Sequence, residues 1–214
     1  MAYTGDVTRG GAPAVRTLGH LSITKVSVGP MDNNAYLLRC GDEQLLIDAA
    51  NDDDTLLALI GQTGLATVVT THRHGDHWQA LEDVIEATGA RSLAHADDAG
   101  EIPVVTDTVA EGDTVTVGDC SLEVIHLVGH TPGSIALLYQ DPEGHGHLWT
   151  GDSLFPGGHG KTTTLEDHTT LMDDLEAKVF GRLGDDTWFY PGHGRDSTLG
   201  AERPHLAEWR TRGW

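Results

Sequence analysis

The sequence predicts an α/β protein in which two β-sheets pack face to face and helices cover their outer sides. Three observations predict it. Strand-like apolar runs fall into two groups, one opening the chain and one in its second half, and each group carries helical segments of its own. A hydrophobic fraction of 38% supplies the apolar side chains of a core, and 27 glycines against eight prolines fit a fold with many tight turns. At 214 residues, with no internal repeat or low-complexity linker, the chain is read as one domain spanning 21–214.

The first twenty residues, rich in Gly, Thr and Ala, have no hydrophobic period and are expected to form a flexible arm. LSITKVSV then alternates apolar and polar residues. After the turn GPMDNN, YLLR and QLLIDA follow, so three strands open the fold as a meander. A helix is expected at 55–60 and a strand at 67–70. The next helix is expected at 78–88, where Trp78, Leu81, Val84 and Ile85 recur at helical spacing before the stop at Gly89. Strands are expected at 92–94, 114–117, 122–127, 135–139 and 147–150. A helix over 169–180, a strand over 187–190 and a helix over 201–212 complete the chain.

Asp and Glu outnumber Lys and Arg by 33 to 13, for a formal charge of −20. Such a surface repels nucleic-acid phosphates, so nucleic acid is excluded as a partner, while bound cations would reverse the field locally for a small anion. Cys40 and Cys120 have no close Cys spacing and are expected to be two reduced thiols. No apolar stretch reaches the length of about 20 residues that crosses a bilayer, and the N-terminus has no signal-peptide core. A cytoplasmic protein with no membrane partner is therefore expected.

The chemistry concentrates in Thr71-His72-Arg73-His74-Gly75-Asp76-His77, directly after the apolar run VVT. His72 and His74 share one side of an extended segment, leaving Asp76 and His77 to turn toward a second point. His130, Asp152 and His193 repeat the pattern of a ligand just beyond an apolar run, each preceded by a glycine. Four strand ends would thus converge. His20, His95, His126, His145, His147, His168 and His205 lack this spacing and are read as surface or hydrogen-bonded histidines. Trp78, at a periodic position, is read as core.

His-x-His-x-Asp-His with His130, Asp152 and His193 resembles the metallo-β-lactamase superfamily. DNNAYLL, GHTPGS, TGDSLFPGG and YPGHG extend the likeness to the glyoxalase II-like hydrolases, from about Leu21 onward. The resemblance implies a four-layer αβ/βα sandwich and two divalent metal ions. One ion would be held by His72, His74 and His130, a second by Asp76, His77 and His193, with Asp152 bridging both. Imidazole and carboxylate suit zinc, and also iron or manganese. GGHGK resembles a segment of that family near the substrate, which implies substrate contacts for His159 and Lys161.

Two neighbouring cations lower the pKa of a shared water, giving a hydroxide nucleophile that Asp76 and Asp152 would orient. A thiolate with a pKa near 8.5 leaves without a proton, and no dedicated general acid is evident, so a thioester suits the site better than an amide or simple ester. The expected function is thus hydrolysis of S-acyl conjugates of a small thiol. Glyoxalase II proteins add a C-terminal helical region that grips glutathione, whereas this chain ends soon after His193, so a carrier other than glutathione is equally admissible. The alternatives are a persulfide dioxygenase with one iron on His72, His130 and Asp152, and a lactonase or other ester hydrolase. A β-lactamase of the first subclass would carry cysteine at the place of Asp152. A closed structural metal site would not leave positions open for water. The sequence leaves the oligomeric state undetermined.

Overall fold

The computed structural model describes residues 3–213. Its first strand lies where the flexible arm was expected: β1 (Ala14–Leu18) pairs antiparallel with β2 (Leu21–Ser27) from Ala14 opposite Lys25 to Leu18 opposite Leu21. An edge strand needs little apolar content, because backbone pairing on one side and a single buried anchor, Leu18, suffice. Upstream, the Tyr3 ring packs edge-on against Trp188 and its hydroxyl donates to Asp196 Oδ2 at 2.8 Å. Residues 1 and 2 of the expected arm lie outside the described residues.

The opening meander continues antiparallel through β3 (Asn34–Cys40) and β4 (Glu43–Ile47), and then turns parallel through β5 (Thr67–Val69), β6 (Arg91–His95) and β7 (Asp107–Val109). Parallel neighbours need crossovers. Two of them carry α1 (Asp53–Ile60), capped by the Asp52 side chain on Thr55 N, and α2 (Leu81–Thr88). The short α3 (Ala96–Ala99) follows β6. Helix α2 starts three residues later than expected, because Trp78 sits at φ −142°, outside the helical region, after a single 3-10 turn at Gly75–His77.

The second sheet is a meander of β8 (Thr114–Val117), β9 (Cys120–His126), β10 (Ile135–Gln140) and β11 (Gly146–Gly151). After the small hairpin β12 (Leu154–Phe155) and β13 (Gly158–His159), α4 (Leu165–Asp174) crosses over and runs into a π-helical turn at Leu175–Phe180. The chain then adds β14 (Trp188–Pro191) parallel to β11, the edge strand β15 (Ser197–Thr198), α5 (Leu199–Glu202) and α6 (Leu206–Arg212). Helix α4 begins four residues earlier than expected, at a capping box in which Thr164 and Asp167 satisfy each other's backbone N–H.

Three buried layers follow from the alternation. Between the sheets, Ile23, Leu38 and Ile47 of the first belong to one apolar cluster with Leu122, Leu137 and Trp149 of the second. Leu46 and Val68 turn outward onto Leu56, Leu81 and Val84 of α1 and α2. Ile125, Leu148 and Phe189 turn outward onto Leu171, Leu175 and Val179 of the α4 region and onto Trp209 of α6. Each fully buried side chain of this kind contributes about 1.5–3 kcal/mol. The result is the expected four-layer αβ/βα sandwich.

The expectation of two reduced thiols is corrected: Cys40 at the end of β3 and Cys120 at the start of β9 form a disulfide, with Cα atoms 6.3 Å apart. A sequence separation of 80 conceals a proximity that arises only when one sheet packs on the other. This removes one support of the cytoplasmic expectation. No helix among the described residues is long and apolar enough to cross a membrane.

Candidate metal centre

Backbone hydrogen bonds stitch several strand ends into one rim. Asn34 N donates to Gly192 O at 2.8 Å and Ile135 N to Thr71 O at 2.9 Å, each crossing from one sheet to the other, while Gly192 N donates to Gly151 O at 2.8 Å. Of the three glycines that precede expected ligands, Gly129 (φ +139°) and Gly151 (φ +47°) adopt conformations that side chains disfavour. Gly192 serves differently: a Cβ there would collide with Asp152 Oδ1 and His77 Cε1.

All seven expected ligands meet on this rim. The ligand atoms of His72, His74 and His130 lie within 4.8 Å of one another, as do those of Asp76, His77 and His193, and those of His72, His77 and Asp152. Asp152 stands between the sets. Its Oδ2 is 3.7 Å from His130 Nε2 and 3.3 Å from His193 Nε2, and its Oδ1 is 3.3 Å from His77 Nε2. His74 Nδ1 is 3.0 Å from His130 Nε2, and His77 Nε2 is 3.2 Å from His193 Nε2. Buried His72 Nε2 and Asp152 Oδ1 have no hydrogen-bond partner. Unsatisfied buried acceptors beside crowded ring nitrogens are a donor set that a divalent cation fits.

Outer partners decide which ring nitrogen faces inward. His130 Nδ1–H donates to Lys161 O, His193 Nδ1–H to Met31 O and His77 Nδ1–H to Asp48 Oδ2, each at 2.8 Å, and His72 Nδ1 pairs with Thr71 Oγ1 at 3.1 Å. Nε2 is thereby turned to the centre in all four, whereas His74 offers Nδ1. Asp48 also accepts from Thr71 N and Thr71 Oγ1 at 2.8 and 2.9 Å. Asn33 Nδ2 donates to Asp76 Oδ2 at 2.9 Å and to Asp76 O at 3.0 Å.

Sequence reading missed both supports. Asp48 carried the same signal as the ligands, an acid directly after the apolar run LLI, and Asn33 lay inside a motif already singled out.

The carboxylates make the site cation-seeking. A hydrogen bond from His193 holds Asp76 at about 2, against the desolvation that would raise it. Burial would raise Asp152, yet His77 and His193 hold it well below the usual carboxylate range. For His193 burial acts downward, but Asp152 and Asp76 outweigh it and lift the imidazole to about 10. His77 is likewise raised against its burial, by Asp152 and Asp48. Burial lowers His72 and His130, which favours neutral rings whose free nitrogen lone pair can reach a metal.

The two residues expected to touch substrate are placed differently. His159 is buried, its Nδ1–H bonded to Gly160 O at 2.7 Å and its ring edge-on to His168 at 4.8 Å between centroids. It does not present its side chain to an open site. Lys161 is exposed, and its visible tie to the centre is the carbonyl that fixes His130. Trp78 packs partly buried beside the α1–α2 core, as expected, and its indole N–H also donates to Arg73 O at 2.8 Å. Of the other histidines, His147 is hydrogen-bonded to Tyr190, but His168 is buried with neither ring nitrogen partnered, contrary to the surface or hydrogen-bonded reading.

The family model described as Metallo-beta-lactamase superfamily matches residues 28–193. Hydroxyacylglutathione hydrolases of Polaromonas sp. (strain JS666 / ATCC BAA-500) and Anaeromyxobacter dehalogenans (strain 2CP-C) are 36% and 34% identical over 165 and 164 residues. These matches cover 75% and 76% of this chain but 62% and 61% of the relatives, so the chain spans about three fifths of their length. Among solved structures, TTHA1623 in a di-iron-bound form is 30% identical with a TM-score of 0.71, over 84% of this chain and 96% of that one. ETHE1 from Myxococcus xanthus is 26% identical with a TM-score of 0.77, over 88% and 84%. Since the family match runs through the whole cluster from His72 to His193, the chain belongs to the metallo-β-lactamase superfamily.

Proposed function

We propose that the protein is a binuclear metal-dependent hydrolase that cleaves S-acyl conjugates of a small thiol. The observation that carries this reading is the convergence of seven histidine and aspartate side chains into overlapping sets, with the ring orientations fixed from outside. His72, His74 and His130 would hold one ion, Asp76, His77 and His193 the other, and Asp152 both. Zinc is the first candidate for this nitrogen and oxygen donor set.

Divalent ions bound there supply Lewis acidity and a water of lowered pKa. The chain's own part is orientation. Asp76, held by Asn33, and Asp152, set between the two groups of histidines, remain ionised at neutral pH and offer acceptors that align a water against an acyl carbon. A thiolate departs without a proton from the protein, which favours a thioester, and relatives named hydroxyacylglutathione hydrolase support the same substrate class. A one-iron dioxygenase reading draws on the likeness to ETHE1, but it would leave His74, Asp76, His77 and His193 unused although they converge with the rest.

The test is release of free thiol by zinc-loaded protein from a panel of S-acyl thiols, glutathione conjugates included, with Asp152→Ala as control. Release that is lost in the variant supports the thioesterase. No release despite about two bound ions transfers the reading to lactones and other esters. Thiol-dependent oxygen uptake with one iron per chain would replace it with the dioxygenase.

A further inference from the structure

We infer that Asp98 is the positioning residue of the His72–His74–His130 set and governs a metal ion held there without touching it. The inference rests on the two-ion reading above. Asp98 lies on α3, outside every ligand segment, and is 1% exposed. Its Oδ2 accepts from Arg73 N at 3.0 Å and from Thr131 Oγ1 at 2.6 Å, and its Oδ1 accepts from Gly133 N at 2.9 Å.

Arg73 separates His72 from His74, and Thr131 follows His130. One buried carboxylate therefore fixes both the peptide between two ligands and the turn that carries the third. The opposite side of residue 73 is also held, since Arg73 O accepts the Trp78 indole N–H. Contact with the third segment is close: a Cβ at Gly133 would come within 2.7 Å of Asp98 N and 2.8 Å of Asp98 Cβ. The other ligand set draws nothing from Asp98. Asp76 is held by Asn33, His77 by Asp48 and His193 by Met31 O.

A buried carboxylate surrounded by three donors holds its place only while all three are satisfied. Asparagine at this position has one acceptor oxygen, so its amide group must face either Arg73 N–H or Gly133 N–H, donor against donor. The peptide between His72 and His74 and the turn after His130 then part, and the three ring nitrogens lose their mutual spacing. Loss of such outer support lowers metal affinity by about 10–100-fold.

The test is Co(II) titration of metal-free protein against a competing chelator, resolving the successive affinities, with circular dichroism confirming the fold of each variant. Asp98→Asn is expected to weaken one equivalent by about 10–100-fold and leave the other within about twofold. Thr131→Val, a milder change, should weaken the same equivalent less, and Asn33→Ala should weaken the other one. In a His130→Ala background, Asp98→Asn should add a smaller loss at that ion than it causes alone, because only its hold on the peptide between His72 and His74 is left to lose.

Equal weakening of both equivalents by Asp98→Asn would overturn the inference, as would unchanged affinities. Should Asp98→Asn fail to fold, an unaltered Thr131→Val titration overturns it alone. If the unmodified protein takes only one equivalent, the two-ion reading fails. Asp98 then keeps its role only if Asp98→Asn weakens that equivalent more than Asn33→Ala does.

Discussion

Replacing Asp48 by asparagine tests how far one atom behind the centre controls it. The backbone at 48 is left-handed, φ 58°, a conformation asparagine tolerates as well as aspartate, so the substitution changes the head group alone. The native carboxylate accepts three hydrogen bonds, from Thr71 N, Thr71 Oγ1 and His77 Nδ1. With the amide oxygen on Thr71 N, the NH₂ faces His77 Nδ1 and drives the imidazole proton to Nε2, the atom 3.3 Å from Asp152 Oδ1. A protonated Nε2 does not ligate a metal. With the amide turned over, Thr71 N–H loses its acceptor, which costs about 1–3 kcal/mol. In the first orientation, affinity for the ion at His77 falls by about 10–100-fold, equivalent to about 1.4–2.8 kcal/mol. Chelator competition measures the affinity, and NMR of the histidine ring nitrogens reports the tautomer of His77. An Asp48→Asn protein that keeps His77 protonated at Nδ1 and binds metal within about twofold of the original would refute this reasoning.

Four further outcomes are expected. Burial holds the His147 imidazole down at about 4 from its ordinary 6.5, so the unfolded chain takes up the proton first. Stability is then full above pH 6.5 and declines as pH falls toward 4, a slope in urea midpoints that His147→Gln should flatten. Reducing the Cys40–Cys120 bond opens a link across 80 residues and should cost up to about 4.5 kcal/mol, read from denaturant midpoints with and without reductant alongside a free-thiol count. Gly192→Ala places a methyl group on Asp152 Oδ1 and His77 Cε1 and should abolish stoichiometric metal binding in a chain that still folds; retention of both ions would contradict the packing described. Lys161→Ala keeps the carbonyl that orients His130, so metal content should be unchanged, and any kinetic effect should appear in KM for anionic conjugates and not in kcat.

The four-layer arrangement was legible because strand alternation and helix spacing are local properties, as the runs LSITKVSV and QLLIDA illustrate. The ligand segment was legible for a similar reason: four donors in six positions leave few other readings. What escaped notice depends on contacts between distant residues. Cys40 and Cys120 meet only through sheet packing, and β1 is a strand only because β2 lies beside it. Asp98 sits in an ordinary four-residue helix, and nothing in ADDA distinguishes it from Asp97, which is exposed. Asp48 was visible in principle. His159 was drawn toward substrate by its place in a motif, yet β13 turns its side chain inward against α4.

The seven converging side chains are divided between the two sheets. His72, His74, Asp76 and His77 follow β5 in the first, whereas His130, Asp152 and His193 follow strands of the second. Neither sheet can present either ligand set alone, so an ion held by His72, His74 and His130, or by Asp76, His77 and His193, reports that the two halves are docked. Binding to the docked form alone adds about 2.7 kcal/mol to its stability when free ion stands at 100 times its dissociation constant. Metal supply and the integrity of the inter-sheet core thereby become linked quantities. A shortage of the ion would leave more of the molecules free to expose the face that Trp149 and Leu137 share with Ile23 and Leu38.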